Sequence, residues 1–353
     1  MTSRTPLTVR VVKVVQETAD AHSLILEPAQ GSADKFRYKP GQFLTVRVPS
    51  EREGGSVARC YSLCSSPMRD ENLKVTVKRT ADGYGSNWIC DRVTEGDVLE
   101  VLRPAGTFTP DSLDEDLLLC AAGSGITPVM SILSSCLHAG TGSVTLLYAN
   151  RDEQSVIFRD ELAALCRQYG ERLTVVHWLE SVQGRPTRTA VQALARPYAA
   201  HRAFVCGPGP FMDLTTDALA RVGLPPDRVT LERFTSLTSD PFTVPEPEPE
   251  PEPELEVAPG NPAGTVEVEL DGEKQSLAWP RESKLLDVLL AAGLDAPYSC
   301  REGNCSACAC VVVEGEAAME RNEVLDAADL ADGLLLACQA LPVSDRLRIT
   351  YDG

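Results

Sequence analysis

The 353-residue sequence has few histidines, few aromatic residues and no long apolar run. It contains 4 histidines and 5% aromatic residues. None of the histidines lies in a catalytic-looking motif, so we expect no general base among them. No stretch approaches the roughly 18 uninterrupted apolar residues of a membrane span, and the N-terminus lacks an apolar signal segment. We therefore expect a cytoplasmic protein with reduced cysteines and no membrane span.

A basic excess is also missing. The formal net charge is −18, and counting along the sequence places −2 in residues 1–240, −6 in 241–263 and −10 in 264–353. This distribution argues against nucleic acid as a partner. The acidity of the C-terminal part either suits docking on a basic patch of another protein or simply aids solubility, and the sequence leaves both open.

One domain boundary is clear. Residues 245–254 alternate proline and glutamate, which fixes the backbone in an extended state and makes the side chains repel one another. We predict a semi-rigid spacer with a rise of about 3.1 Å per residue. The predicted domains are residues 1–110, 111–240 and 264–353, with residues 241–263 as a Pro-Glu linker.

Two different hydrophobic patterns precede the linker. Period-two alternation before residue 110 predicts an antiparallel barrel or sandwich; its runs are residues 8–15, 23–27, 42–48, 74–78 and 98–103. After residue 116, continuous apolar runs alternate with helical stretches, which predicts a parallel sheet with helices on both faces. These runs are residues 117–122, 144–149, 173–178 and 203–206, with helices near 128–139, 158–169, 187–195 and 210–222.

Two glycine loops follow the first and fourth of these buried runs. They are Gly-Ser-Gly-Ile-Thr-Pro at residues 123–128 and Cys-Gly-Pro-Gly-Pro-Phe-Met at 206–212. Both should open at the carboxyl edge of the sheet, where a dinucleotide pyrophosphate can approach the backbone. The first loop alone is a weak signal, because such turns are often only structural and its sixth position is proline. The second loop strengthens the prediction.

The barrel region holds a second candidate site. Arg59 and Tyr61 lie in a predicted strand, and residues 83–88 open a short predicted helix. An arginine and a helix N-terminus can hold a diphosphate, and Tyr61 offers a wall for a flat ring. A surface arginine and an ordinary glycine turn are the simpler interpretations.

Four cysteines near the C-terminus carry the most specific signal. Their spacing, C-x4-C-x2-C followed by a distant cysteine, is that of a plant-type [2Fe–2S] site, and we predict as its ligands Cys300, Cys305, Cys308 and Cys338. Disulfides or zinc are the alternatives. The other cysteines are scattered singly and no histidine lies near this loop, which disfavours both. Cys310, in an apolar run, is predicted to be a core residue.

Five segments together resemble, in order, the ferredoxin–NADP reductase superfamily. They are residues 59–62, Gly83 with Ser86, residues 123–128, 206–209 and 232–234. The cysteine loop matches a plant-type ferredoxin fused behind it, so the resemblance covers nearly the whole chain. It implies a multidomain protein with an antiparallel β-barrel FAD domain, an α/β parallel-sheet nucleotide domain and an α+β (β-grasp) ferredoxin domain. The implied cofactors are FAD, NADH and a [2Fe–2S] cluster.

The resemblance also implies residue roles. The cofactor-binding residues would be Arg59, Tyr61, Ser62, Val77, Lys78, Gly83, Gly85 and Ser86 for FAD, and Gly123, Gly125, Thr127 and Gly207 for the pyridine nucleotide. Ser62 would lie near flavin N5, and Cys206 would line the nicotinamide pocket with Glu232. Phe234 would cover the flavin face; the family more often ends its reductase module at this aromatic residue, whereas this chain continues.

Within the superfamily, residues 59–67, 77–83 and 147–152 resemble the reductase components of 3-ketosteroid 9α-hydroxylase, and those of phenylacetyl-CoA epoxidase are near neighbours. The implied function is an NADH-dependent flavin iron–sulfur oxidoreductase. It would pass electrons to a terminal oxygenase, of the Rieske non-haem iron type, in steroid degradation. The alternatives are the reductase of another oxygenase, such as phenylacetyl-CoA epoxidase, and a free-standing NAD(P)H diaphorase.

The nucleotide preference rests on the residues after the second buried run. Asp152 and Glu153 would repel a 2′-phosphate or accept a ribose hydroxyl, which favours NADH. Arg151 argues the other way, because an arginine there can pair with that phosphate.

Overall fold

The structure, a computed structural model, describes residues 7–50, 55–237, 241–242, 264–325 and 327–352. Its compact units divide at residue 237: the larger covers residues 7–236 and the smaller contains the C-terminal part. The predicted linker lies outside the described residues except for residues 241 and 242, so its role as a spacer stays a prediction. No helix in the described ranges is long and apolar enough to cross a membrane.

The larger unit begins with an antiparallel barrel. Its elements are β1 (Leu7–Thr18), β2 (Ala21–Pro28), β3 (Phe43–Ser50), β4 (Gly55–Ser62), β5 (Leu73–Lys78), α1 (Tyr84–Arg92) and β6 (Val98–Val101). The strand order is β4-β3-β6-β1-β2-β5. A bridge between Leu63 and Val75 joins the ends of the order, which closes the barrel. Alternate residues such as Leu44, Val46 and Val48 point into its core, which confirms the period-two prediction.

The second part of this unit is a parallel sheet. Its elements are β7 (Leu117–Ala122), α2 (Ile126–Ala139), β8 (Val144–Asn150), α3 (Arg159–Gln168), β9 (Leu173–Leu179), α4 (Glu180–Gln183), α5 (Arg188–Ala195), β10 (Arg202–Cys206), α6 (Gly209–Arg221) and β11 (Val229–Glu232). The order is β11-β10-β7-β8-β9, with every pairing parallel. Successive strands are added on one side of β7 as far as β9 and then on its other side from β10, and this switch point in the strand order is where such sheets bind ligands. The short β11 was not predicted.

Polar contacts hold the barrel against the parallel-sheet layer. Ser66 and Ser135 share a buried hydrogen bond of 2.8 Å between their hydroxyls. The Lys74 ammonium pairs with Glu161 at 2.8 Å and lies 4.8 Å from the centre of the Phe158 ring. These contacts join β5 and the loop before it to α2 and α3. The candidate sites of the barrel and of the parallel sheet are therefore held in one unit.

The smaller unit is a mixed sheet with one principal helix. Its elements are β12 (Gly264–Leu270), β13 (Glu273–Trp279), α7 (Leu285–Ala291), β14 (Ala309–Glu314), β15 (Ala317–Met319), α8 (Ala327–Ala331), β16 (Leu334–Leu336), β17 (Ala340–Pro342) and β18 (Arg346–Thr350). The main sheet has the order β13-β12-β18-β14-β16, with β12 and β18 parallel and the other pairs antiparallel. Leu286 and Leu289 of α7 pack into its core. This arrangement agrees with the predicted β-grasp domain.

Candidate redox sites

The barrel brings an arginine against the N-terminus of α1. A Cβ on Gly85 would lie 2.8 Å from Cγ of Arg59, so the arginine side chain packs directly over this glycine. The Ser86 hydroxyl accepts a hydrogen bond from the Thr80 amide at 3.1 Å and is 3.4 Å from the Gly83 carbonyl. The loop is thus closed onto the helix start. A guanidinium beside the N–H groups of a helix N-terminus is a donor set that fits a diphosphate.

The other residues predicted to bind the flavin differ in burial and in the direction of their side chains. Burial raises the pKa of the Tyr61 hydroxyl above its usual range, although Arg59 opposes this, so Tyr61 is a neutral aromatic wall. Ser62 is buried at the end of β4. Val77 points into the barrel core, so only its backbone is available to a cofactor. Lys78 has its ammonium 3.8 Å from the position of a Cβ on Gly123, which places it beside the nucleotide loop.

The two predicted glycine loops meet at the switch point. A Cβ on Gly125 would lie 2.2 Å from the carbonyl oxygen of Cys206, so only glycine permits this approach. On the other loop, a Cβ on Gly207 would lie 3.0 Å from Cβ of Ala122. The result is a backbone cradle at the start of α2, which fits a dinucleotide pyrophosphate.

Hydrogen bonds fix the shape of the first loop. The Tyr148 hydroxyl donates to the Gly123 carbonyl at 3.1 Å, and the Thr127 hydroxyl donates to the Ser124 carbonyl at 3.0 Å. Thr127 is buried. Its proton is therefore used within the loop, and a contact with the nicotinamide carboxamide would use the lone pairs of its oxygen.

Cys206 and Glu232 are paired residues at the carboxyl ends of β10 and β11. Burial raises the pKa of Glu232 to about 8, and burial together with Glu232 raises the pKa of Cys206 well above its usual range. Both shifts favour the uncharged forms, a thiol and a protonated carboxyl group, at this end of the sheet. Phe234 follows in an irregular segment with 51% of its surface exposed, so its role over the flavin stays a prediction.

The cysteine loop wraps its sulfur atoms in backbone donors. The amide of Cys300 lies 3.3 Å from Sγ of Cys305, and the amide of Glu302 lies 3.3 Å from Sγ of Cys300. Arg301 has a φ of 59°, in the left-handed region that non-glycine residues rarely adopt. A Cβ on Gly303 would lie 2.7 Å from the carbonyl oxygen of Arg321. Such a strained, crowded loop is typical of a functional site.

The fourth cysteine reaches this loop through strand pairing. The antiparallel register of β14 and β16 sets Cys308 beside the residues that follow β16. The amide of Ala337 donates to the Cys308 carbonyl at 3.1 Å, and the amide of Cys338 lies 3.4 Å from Sγ of Cys308. The Gln339 side chain donates to the Arg301 carbonyl at 2.9 Å. This hydrogen bond links the cysteine loop to the segment that carries Cys338.

The four thiols are close enough to interact with one another. Contacts with Cys305 and Cys338 lower the pKa of Cys300, and contacts with Cys300 raise the pKa of the other two. None of the twelve cysteines forms a disulfide, so the disulfide alternative is wrong. In the described ranges, no three His, Cys, Asp or Glu side chains are placed around one metal ion. A plant-type [2Fe–2S] cluster is held by four cysteine thiolates.

Two further residues lie near these sites. Cys310 is buried in β14, as its apolar surroundings predicted.

Sequence reasoning missed Asp20, which lies in the turn between β1 and β2. Its carboxylate lies 3.1 Å from the Arg151 guanidinium and 3.7 Å from the Lys78 ammonium. No local signal could have found it, because Asp20 and Arg151 are 131 residues apart in the sequence.

Comparisons with known proteins agree with this geometry. Three family models match in the order of the domains: an oxidoreductase FAD-binding domain over residues 8–109, an oxidoreductase NAD-binding domain over 119–217 and a 2Fe-2S iron-sulfur cluster binding domain over 268–343. The structure is similar to phthalate dioxygenase reductase, described as a modular structure for electron transfer from pyridine nucleotides to [2Fe-2S]. That similarity has a TM-score of 0.56, with 26% identity and 98% coverage of each chain.

Two curated relatives extend over almost the full length. The chain is 57% identical over 343 residues to the ferredoxin reductase component of 3-ketosteroid-9-alpha-monooxygenase from Rhodococcus rhodochrous, covering 97% of this chain and 95% of the relative. It is 34% identical over 358 residues to one of the subunits of 1,2-phenylacetyl-CoA epoxidase from Escherichia coli (strain K12), covering 97% and 96%.

The chain is therefore an oxidoreductase whose cofactors are FAD, NADH and a [2Fe–2S] cluster, and it serves as the reductase component of an oxygenase system. Its partner is a terminal oxygenase component. By the extent and identity of these matches, the chain belongs to the family of 3-ketosteroid-9-alpha-monooxygenase ferredoxin reductase components.

Proposed function

We propose that this chain is the reductase of a cytoplasmic 3-ketosteroid 9α-hydroxylase in steroid degradation, and that its terminal oxygenase is of the Rieske non-haem iron type. The observation that carries the proposal is the 57% identity to a reductase of that name over almost the full length of both chains. The epoxidase relative, at 34% identity, is the second candidate. Cysteines that form no disulfide in the described chain suit a reducing compartment.

Residues of β4, β5 and the start of α1 would hold the flavin. Arg59 and the N-terminus of α1 would bind the diphosphate, with Gly83, Gly85 and Ser86 shaping the loop. Tyr61 would pack against the ring system and Ser62 would hydrogen-bond to its edge. The backbone of Val77 and the side chain of Lys78 would complete the site. When bound, a flavin accepts two electrons as a hydride from nicotinamide and releases them singly to an iron–sulfur centre.

The switch point would orient the nicotinamide nucleotide. Gly123, Gly125 and Gly207 leave room for the pyrophosphate, and Thr127 would accept a hydrogen bond from the carboxamide. Cys206 and protonated Glu232 would line the pocket for the ring without placing a charge beside it. Phe234 would shield the flavin from solvent. No proton abstraction is required, because hydride transfer depends on alignment.

The smaller unit would supply the exit for single electrons. Its four ligands would be Cys300, Cys305, Cys308 and Cys338, and backbone N–H groups directed at their sulfur atoms would tune the potential. The proposed domains are residues 1–110 for FAD, 111–240 for the nucleotide and 264–353 for the cluster. Residues 241–263 would link the nucleotide domain to the cluster domain.

Reconstitution tests the proposal. The purified reductase is combined with NADH and, separately, with a Rieske-type ketosteroid oxygenase or a phenylacetyl-CoA epoxidase. We expect hydroxylation of a 3-ketosteroid at C9 to depend on the reductase. Coupling only to the epoxidase would favour the second candidate. Reduction of ferricyanide without coupling to either oxygenase would instead identify a free-standing diaphorase.

A further inference from the structure

One barrel carboxylate pairs with two cations that lie near the nucleotide loops. Oδ2 of Asp20 is 3.1 Å from Nη2 of Arg151 and 3.7 Å from Nζ of Lys78. The two cations come from different elements, since Lys78 ends β5 and Arg151 follows β8. Asp20 itself is held in place by the Thr18 hydroxyl, which donates to its other oxygen at 2.8 Å.

Arg151 lies where a nucleotide-binding sheet discriminates between NADH and NADPH. It follows the strand next to β7, and Tyr148 of the same strand donates to Gly123 in the nucleotide loop. An arginine at the carboxyl end of this second strand can pair with the 2′-phosphate that distinguishes NADPH. In this chain the guanidinium already has a carboxylate partner.

The acid next to Arg151 in the sequence is not that partner. Oδ1 of Asp152 accepts hydrogen bonds from the Ser155 amide at 2.8 Å and from the Ser155 hydroxyl at 2.7 Å. Asp152 thereby caps the short helical turn that follows it. The sequence-based explanation of the NADH preference, which relied on Asp152 and Glu153, is therefore incomplete, because the acid that engages Arg151 comes from the barrel.

We propose that Asp20 is a specificity-determining residue for the pyridine nucleotide. By pairing with Arg151 it occupies the guanidinium that would bind a 2′-phosphate, and its own negative charge repels that phosphate. Its second contact, with Lys78, lowers the positive charge beside Gly123 and affects both nucleotides alike. The ratio of NADPH to NADH use therefore isolates the Arg151 contact. The inference rests on the nucleotide half of the proposed function and is independent of the oxygenase.

The variant Asp20→Asn tests this directly. Asparagine keeps an acceptor for Thr18, and the ion pairs lost are solvent-accessible ones that contribute little to stability. With ferricyanide as acceptor, we expect kcat/KM for NADPH relative to NADH to rise by about tenfold, mainly through KM, because a charge-assisted pair with the phosphate becomes available. Competitive inhibition by adenosine 2′,5′-bisphosphate should strengthen relative to inhibition by 5′-AMP, and the gain should shrink at high salt.

Three further variants make the result decisive. D20N combined with Arg151→Ala should lose the gain, and Asp20→Glu should keep the wild-type ratio. Glu161→Gln removes a different ion pair between the barrel and the parallel-sheet layer, and it should leave the ratio unchanged. An equal change for both nucleotides in D20N, or a gain that persists without Arg151, would overturn the inference. Failure of the wild-type protein to oxidise NADH would instead contradict the proposed function.

Discussion

The cluster loop and the nucleotide edge achieve binding in opposite ways. The cluster site is built mainly from one short segment, residues 299–308, whose amides point at its own sulfur atoms. The nucleotide edge is assembled from strand ends far apart in the sequence, and its critical contacts are a backbone approach at Gly125 and charges from the barrel. Loss of a single cysteine ligand should therefore abolish cluster binding. Substitutions at the nucleotide edge should instead weaken or alter nucleotide binding by graded amounts.

The largest effect is expected from loss of a cluster ligand. Cys305→Ser replaces a soft anionic sulfur with a neutral hydroxyl, which is a poor iron–sulfur ligand. Oxygenase-coupled hydroxylation should fall to background. Ferricyanide reduction by NADH should persist near the wild-type rate, because the flavin and nucleotide residues belong to the other compact unit. Visible spectra and both activities are the measurements; coupled hydroxylation at the wild-type rate would contradict the electron route.

A single methyl group should disrupt the nucleotide edge. Gly125→Ala would place Cβ 2.2 Å from a backbone oxygen that cannot move away without shifting β10. We expect a loss of about 2–3 kcal/mol in stability, or an equivalent loss in NADH affinity, as is usual for overpacking. The matched control is Gly209→Ala in the facing loop, where a Cβ would meet no atom within 4 Å. Equal behaviour of the two variants in thermal melts and NADH titrations would contradict the proposed close approach.

Glu232 should make the reductase unit sensitive to pH. Its pKa is raised from 4.5 to about 8, so the folded chain keeps a proton that the unfolded chain loses. Stability should therefore fall as pH rises from about 4.5 to about 8 and level off above that. Glu232→Gln should remove this component. Flavin-release melts at several pH values would measure it, and an identical pH dependence in both proteins would exclude the assignment.

The smallest effect is expected from the linker. Removing residues 245–248 deletes two Pro-Glu units from a stretch that we predict to be an extended spacer. Both folded units should survive, and electron transfer between them should change only modestly, through effective concentration. Separate melts of flavin and cluster signals would show this. Unfolding of the reductase half would mean that the stretch is a packed element.

The two sites also differ in how far the sequence alone reveals them. The cluster ligands were predictable because three of them lie within nine residues and their spacing is specific. The buried strands of the parallel sheet were predictable from their continuous apolar runs, and the barrel from its alternation. Strand β11 was not, because its sequence, Val-Thr-Leu-Glu at residues 229–232, contains no continuous apolar run.

Contacts that depend on tertiary structure could not be predicted. Asp20 sits in a β-turn and resembles any surface acid until the barrel packs against the sheet and places it beside Arg151. For Asp152 the sequence suggested a contact that the structure assigns elsewhere. Its position suggested a contact with the nucleotide, whereas its carboxylate caps its own loop. Gln339 follows a ligand cysteine directly, yet only the strand pairing shows that it reaches Arg301.

The central claim is that one chain carries electrons from NADH through a flavin to the cluster held by Cys300, Cys305, Cys308 and Cys338. An anaerobic titration with NADH, followed by visible and electron paramagnetic resonance spectra, tests it most directly. We predict that the flavin and cluster bands both bleach, with a reduced [2Fe–2S] signal and uptake of more electrons than a flavin alone accepts. Bleaching of the flavin with an intact cluster that stays oxidised would contradict the account.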